Sequence, residues 1–103
     1  MNFKSYQTIS AKYAKKSIKK DAAYYAMGLG SETGEVLDKL KKMKRDKDID
    51  LKGVKQELGD VLWYVSQLCT LFDFDLADVA QDNLLKLESR KARDKISGSG
   101  DDR

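Results

Sequence analysis

The sequence predicts an all-α protein, a small bundle of four helices. Its 103 residues include no proline and only 7 glycines, so few positions interrupt a helix. Lysine, leucine and alanine, which are good helix formers, are abundant. No segment shows the sustained alternation of apolar and polar residues that is typical of strands. We therefore expect helices joined by short connections.

The first predicted helix runs from about Phe3 to Lys20. Tyr6, Ile9 and Tyr13 recur at i, i+3 and i+7, which places them on one helical face. The first twenty residues contain six lysines and no acidic residue. This charge predicts an anionic partner, and we favour a nucleotide over nucleic acid because the basic stretches lack interleaved aromatic residues. Stable nucleic-acid binding is not expected.

The second predicted helix runs from about Ala22 to Arg45 and contains three glycines within seven residues. Each of Gly28, Gly30 and Gly34 costs up to about 1 kcal/mol relative to alanine in a helix interior. Two explanations stay open for them. The helix breaks or bends locally, or another helix or a ligand approaches its bare backbone closely.

The third and fourth predicted helices run from about Gly53 to Phe72 and from about Leu76 to Ala92. Asp75 is the expected N-cap of the fourth helix. The third helix carries the strongest apolar stripe of the chain, with residues spaced by threes and fours: Val54, Leu58, Val61, Leu62, Val65, Leu68 and Phe72.

We expect one helical domain over residues 1–96, followed by a Gly/Ser/Asp tail over residues 97–103 that contributes to the site. A chain of 11.7 kDa with a mean hydropathy of -0.62 has a thin core, which favours a homodimer or a dimer of dimers. Apolar runs are too short for a membrane span. Cys69 has no second cysteine to pair with, which fits a reducing compartment, so a cytoplasmic location is predicted.

The chain contains no histidine, and this absence narrows the chemistry. Ser-His-Asp and Cys-His nucleophiles and HExxH zinc sites are excluded. A metal ion would have to bind to oxygen ligands, which suits Mg²⁺ or Mn²⁺.

Two pairs of acidic residues lie on the second and third helices: Glu32 with Glu35, and Glu57 with Asp60. Residues three apart project to the same side of a helix, so antiparallel packing of the two helices would bring four carboxylates together. A divalent cation would relieve their repulsion. The alternative is that each pair lies on a solvated helix face, which is the commoner meaning of a single such pair.

Three segments resemble the MazG-like nucleotide pyrophosphohydrolases of the all-α NTP pyrophosphatase superfamily: GLGSETGEV at 28–36, ELGDVLWY at 57–64 and NLLKLESR at 83–90. The resemblance is ordered and covers roughly Tyr6 to Arg103. It implies a helical oligomer that hydrolyses a nucleoside triphosphate to the monophosphate and pyrophosphate with Mg²⁺, or with Mn²⁺ in its place.

The resemblance also implies roles for individual residues. It makes metal ligands of Glu32, Glu35, Glu57 and Asp60, and either Glu32 or Glu35 is the expected proton acceptor. Residues expected beside the nucleotide or its phosphates are Lys39, Tyr64, Asn83, Lys86 and Arg90.

Several alternatives remain open from the residues themselves. Lys39 is either a phosphate contact or an i,i+4 partner of Glu35, and Lys86 and Arg90 also suit a solvated face near a helix C-terminus. For the whole chain, the alternative function is a non-catalytic helical protein of the same fold that binds a nucleotide or a protein partner.

Overall fold

The computed structural model describes all residues, 1–103, and contains four α-helices and no strand. The α-helices are α1 (Phe3–Ser10), α2 (Ala22–Asp46), α3 (Leu51–Leu71) and α4 (Leu76–Ala92). The predicted all-α class is confirmed, and the three long helices begin and end within two residues of the predicted positions. None of the helices combines the length and the apolar character needed to cross a membrane.

The prediction of one long first helix, Phe3 to Lys20, is wrong. α1 ends at Ser10, and only two single turns of 3-10 helix follow, Ala11–Tyr13 and Lys16–Ile18. Between them the backbone is extended at Ala14, with ψ 132°. A continuous helix would place like charges three and four residues apart with no acid to offset them, and such pairs are destabilising. The lysines concerned are Lys12, Lys15, Lys16, Lys19 and Lys20.

The long helices α2 and α3 pack side by side in antiparallel orientation. The Tyr64 ring of α3 lies against the backbone at Gly28 near the start of α2. Toward the other end of α2, the Lys39 Nζ lies 3.1 Å from Asp50, just before α3 begins. The start of α2 therefore lies beside the end of α3, and the end of α2 lies beside the start of α3.

Side-chain caps set the start of both long helices. The Asp21 carboxylate accepts a hydrogen bond from the Tyr24 amide at 3.1 Å, and the Asp50 carboxylate accepts one from the Gly53 amide at 2.9 Å. Because Asp50 satisfies an otherwise unpaired amide of the first turn, α3 begins at Leu51, two residues before the predicted position.

The fourth helix is capped by a residue distant in sequence. Asp75 occupies the predicted N-cap position, but its side chain accepts no capping hydrogen bond. The Leu76 amide donates instead to Gln7 Oε1 at 2.8 Å. The Gln7 Nε2 donates in turn to the Phe74 carbonyl at 2.8 Å and to Thr70 Oγ1 at 3.2 Å. One glutamine of α1 thus holds the turn between α3 and α4.

The contact between α1 and α3 contains a buried polar network. The Ser10 and Ser66 hydroxyls lie 3.1 Å apart, and Gln67 Nε2 donates to Ser10 Oγ at 3.0 Å. Trp63 Nε1 donates to the Ser10 carbonyl at 3.2 Å. Each buried polar group has a partner, as burial requires, so the network fixes the position of α1 on α3.

The core of the single chain is small. Only 8 of 103 residues are buried, and the accessible surface is 7979 Å², against about 5,900 Å² for a typical monomer of this mass. The radius of gyration is 16.3 Å, against about 13 Å for a compact domain of this length. Large apolar side chains stay exposed on α2, on α3 and at the residue that follows α3: Leu37, Leu40, Leu51, Leu58 and Phe72.

We expect Gln7→Ala to destabilise the fold, because it leaves the Leu76 amide and the Phe74 carbonyl without their partner. The cost should be about 1–3 kcal/mol, measured by urea unfolding. The matched control is Gln81→Ala, which removes an exposed glutamine of α4 that makes no hydrogen bond. Equal stability losses in the two variants would contradict the capping role of Gln7.

Candidate metal centre

Three carboxylates meet where α2 and α3 pack together. One oxygen from each of Glu32, Glu57 and Asp60 lies within 4.8 Å of the other two. Glu32 and Glu57 are half-buried and Asp60 is exposed. None of the three makes an ion pair with a lysine or arginine. The cluster is therefore an uncompensated group of anions with an open side.

The close packing of these carboxylates is electrostatically unfavourable, as the pKa of Glu32 shows. The pKa of Glu32 is raised, first by burial, next by hydrogen bonding with Glu57, and then by the negative charges of Asp60, Glu57 and Glu35. Each of these causes disfavours the charged carboxylate. A cation bound among the oxygens would remove the repulsion, and an all-oxygen donor set fits a hard divalent ion such as Mg²⁺. The residues present therefore fit the implied metal.

Glu35 lies outside this group. It is exposed, one turn beyond Glu32 and rotated by about 60° around α2. It is not among the carboxylates whose oxygens lie within 4.8 Å of one another. Its charge still acts on the cluster, since it contributes to the raised pKa of Glu32. The structure thus brings together three of the four predicted acids.

The helix α2 is continuous through its three glycines. The close approach of another helix explains one of them. A Cβ atom added at Gly28 would lie 2.1 Å from Cε1 of Tyr64, so only glycine admits the ring there. At Gly30 and Gly34 an added Cβ would meet nothing within 4 Å. Of the two open explanations, the close approach holds for Gly28 and the break holds for none.

Tyr64 lies beside the carboxylates. Its pKa is raised, first by burial and hydrogen bonding to Tyr24, with further contributions from the charges of Tyr24, Glu32 and Asp60. Its ring centroid is 5.0 Å from that of Trp63 and 6.4 Å from that of Tyr25. Tyr25 is fully buried, so the aromatic cluster anchors Tyr64 from the core side. Its predicted position beside the nucleotide stays a prediction.

Sequence reasoning missed Tyr6, which it assigned only to an apolar face. The pKa of Tyr6 is raised by burial and, after that, by the charge of Asp60. Its phenol is therefore a second one near the carboxylate cluster, after that of Tyr64, and it is contributed by α1. Only the packing of α1 on α3 reveals this, because no spacing in the sequence relates Tyr6 to Asp60.

Lys39 pairs with Asp50, whereas the sequence suggested either a phosphate or Glu35 as its partner. Its Nζ donates to Asp50 Oδ2 at 3.1 Å and not to Glu35. The pKa of Lys39 is raised mainly by this hydrogen bond and the Asp50 charge, with a smaller contribution from Glu57. Lys39 thus lies near the cluster while bound to Asp50, and its predicted phosphate contact stays untested.

The predicted cations of α4 bind the C-terminal tail. Lys86 Nζ lies 2.7 Å from Asp101 Oδ1, and Arg90 Nη2 lies 3.2 Å from the same oxygen and also donates to the Asp101 carbonyl. Arg90 is 6% exposed, and its Nε has no partner. Asn83 is exposed on the same helix. α4 packs on α1 and α3, and the nucleotide contacts predicted for these residues remain predictions.

The tail is a folded motif. Arg103 donates to the carbonyls of Lys95, Ile96 and Gly100 at 3.0, 2.7 and 2.7 Å. Gly98 and Gly100 have φ values of 117° and 88°, which glycine adopts without strain. The pKa of Asp101 is lowered by its hydrogen bonds to Lys86 and Arg90. The tail therefore carries a carboxylate that neutralises the two cations.

We expect Glu32→Gln to leave the metal-free protein as stable as the wild type or more stable. An acid whose pKa is raised on folding favours the folded state below its unfolded pKa and loses that contribution as pH rises through the folded pKa. In EDTA, the melting temperature of the wild type should therefore fall as pH rises above about 4.5 more steeply than that of Glu32→Gln. Parallel pH profiles would contradict the crowding of the carboxylates.

Comparison with known proteins extends these observations. The gene 37 protein of Mycobacterium phage L5 is 49% identical over 86 residues, which cover 79% of this chain and 75% of the phage protein. No solved structure matches the chain. The family described as MazG nucleotide pyrophosphohydrolase domain matches residues 21–93, from the N-cap of α2 to the end of α4. The chain therefore belongs to the MazG nucleotide pyrophosphohydrolase domain family.

Proposed function

We propose that this protein is a Mg²⁺-dependent nucleoside triphosphate pyrophosphohydrolase that releases a nucleoside monophosphate and pyrophosphate. One observation carries the proposal: three carboxylates from two antiparallel helices have oxygens within 4.8 Å of one another and no cationic side chain to pair with. Membership of the family supports the same reaction class.

Glu32, Glu57 and Asp60 would hold the metal ion, with Mg²⁺ as the expected ion and Mn²⁺ as a substitute. When bound, the ion supplies neutralisation of phosphate charge and activation of water. The chain itself supplies the orientation of the three carboxylates, because α2 and α3 are held at a fixed spacing by the ring of Tyr64 against Gly28.

The proposal assigns proton acceptance to a carboxylate oxygen of Glu35. This acid lies one turn from Glu32 but outside the three-carboxylate group, so it is free to take a proton while the others remain ligands. Water then attacks the α-phosphorus, the bond from that phosphorus to the bridging oxygen breaks, and pyrophosphate leaves with that oxygen. Tyr64 and Tyr6 border the same place and would contact the nucleotide.

We further propose a homodimer or a dimer of dimers. The accessible surface of one chain exceeds the value typical of its mass by about 2,000 Å², and a standard protein interface buries about 800 Å² per partner. The exposed side chains Leu37, Leu40, Leu51, Leu58 and Phe72 supply the apolar area that a second copy would cover.

Turnover should require Mg²⁺ or Mn²⁺, and two variants should lose it for different reasons. Asp60→Asn removes a ligand and should weaken Mg²⁺ binding measured by calorimetry. Glu35→Gln should abolish turnover while it keeps Mg²⁺ binding near the wild-type affinity. Activity is measured over ribo- and deoxyribonucleoside triphosphates, with pyrophosphate and orthophosphate quantified separately. Full activity in EDTA, or no pyrophosphate from any triphosphate, would contradict the proposed function.

If Lys86 and Arg90 bind phosphate or sugar oxygens, Lys86→Ala or Arg90→Ala should lower kcat/KM by an amount equivalent to about 1–3 kcal/mol. Asn83→Ala should act in the same direction. The matched control is Lys91→Ala, because Lys91 is exposed and makes no ion pair. Unchanged kcat/KM in the Lys86 and Arg90 variants would contradict nucleotide binding by these residues. Their role would then be to hold Asp101 of the C-terminal tail.

Sedimentation at micromolar concentration should show at least a dimer, since so much apolar surface is uncovered in one chain. Replacing Leu37 and Leu58 with glutamate should dissociate the oligomer, because burying a charged side chain in an apolar interface costs a large free energy. The control replaces the exposed Leu84 and Leu85 of α4 with glutamate. A wild-type species of 11.7 kDa would contradict the proposed assembly.

A further inference from the structure

The lysine-rich segment between α1 and α2 has no role in the proposed reaction. Its five lysines make no ion pair with any acidic residue of the chain. Asp21, at its end, is the only acidic residue of the segment. Two short turns of 3-10 helix replace the predicted continuous helix here. The lysines are Lys12, Lys15, Lys16, Lys19 and Lys20.

Three of these lysines line an open cavity of about 620 Å³, whose other walls are Ser17, Asp21 and Ala22. Asp21 is the only acid there, and its Oδ1 already accepts the Tyr24 amide hydrogen bond at 3.1 Å. Charges of one sign in a concavity reinforce one another's field and attract counter-ions. The cavity, lined by three lysines and one carboxylate, therefore has a net positive potential.

We propose that this cavity is a second, metal-independent binding site for a small oligophosphate anion of the pyrophosphate class. The ammonium group of lysine binds phosphate as a point charge, and three such groups match the several charges of an oligophosphate. The volume lies within the range of small-molecule sites. The lining includes no aromatic side chain, so it offers the phosphate chain a site but gives a nucleobase nothing to stack on.

The site is distinct from the carboxylate centre in position and in charge. Asp21, the N-cap of α2, and Glu32 within α2 are eleven residues apart, which corresponds to about 16 Å along the helix axis. The carboxylate cluster repels an anion unless a metal ion is bound, whereas the lysines attract it directly. The proposal therefore does not rest on hydrolysis, and it predicts binding in the absence of any divalent ion.

Nucleic acid is the less suitable ligand for this surface. Proteins that bind single strands combine a basic groove with aromatic side chains on which bases stack. The cavity contains neither an aromatic residue nor an arginine. A compact anion satisfies three clustered ammonium groups without requiring such a platform.

The test is calorimetric titration of sodium pyrophosphate into the full-length protein in EDTA at low ionic strength. Saturable binding is expected. Replacing Lys16, Lys19 and Lys20 with glutamine should weaken it by roughly tenfold or more. The matched control replaces Lys44, Lys55 and Lys91, which are also exposed and unpaired, and should keep binding within a few-fold of the wild type. Circular dichroism checks that both triple variants are folded.

Three further titrations use a nucleoside triphosphate, the Asp60→Asn variant and a single-stranded oligonucleotide to separate the possible ligands and the two sites. Similar affinities for pyrophosphate and a nucleoside triphosphate would identify the phosphate chain as the recognised group. A much higher affinity for the nucleoside triphosphate would assign the site to the triphosphate group of a nucleotide. Asp60→Asn should bind pyrophosphate as the wild type does. The proposal is overturned if pyrophosphate does not bind, if both triple variants lose it equally, if Asp60→Asn loses it, or if an oligonucleotide binds more tightly than either phosphate.

Discussion

The packing of the Tyr64 ring on the bare backbone of Gly28 is the contact on which the rest of the site depends. An alanine there would place its Cβ 2.1 Å from the ring, and either the ring or the helix would have to move. At the present spacing, one turn further along α2, Glu32 meets Glu57 and Asp60. Gly28, despite the conformational cost of a glycine inside a helix, thus permits the close helix approach at which the carboxylates assemble.

The cluster opposes the packing that creates it. Burial and the neighbouring negative charges raise the pKa of Glu32, so ionisation of the group disfavours the folded state. Aromatic contacts of Tyr25 with α3 and the Lys39–Asp50 ion pair hold the two helices together against this repulsion. No cationic side chain forms an ion pair with these carboxylates, so the divalent cation proposed here would relieve the repulsion that strains the metal-free fold.

Periodicity predicted the elements whose stability is local or comes from one long apolar face, namely α2, α3 and α4. It failed where the decisive interaction was electrostatic repulsion, as in the lysines after Ser10, or a contact distant in sequence, as in the capping of Leu76 by Gln7. Spacing showed that Glu32 and Glu35 share a side of α2. Which of them faces α3 depends on the rotation of the helix, and that is a property of the tertiary packing.

The two other glycines within α2, Gly30 and Gly34, are explained by the proposed oligomer and by no contact within one chain. Gly30, Gly34 and Leu37 recur at i, i+4 and i+7 on one face, and nothing in the chain lies within 4 Å of a Cβ added at either glycine. Each glycine costs up to about 1 kcal/mol of helix stability, and no contact within the subunit offsets that cost. In the proposed oligomer, the bare backbone and the exposed Leu37 together form a shallow apolar surface on which a helix of a second copy can pack closely.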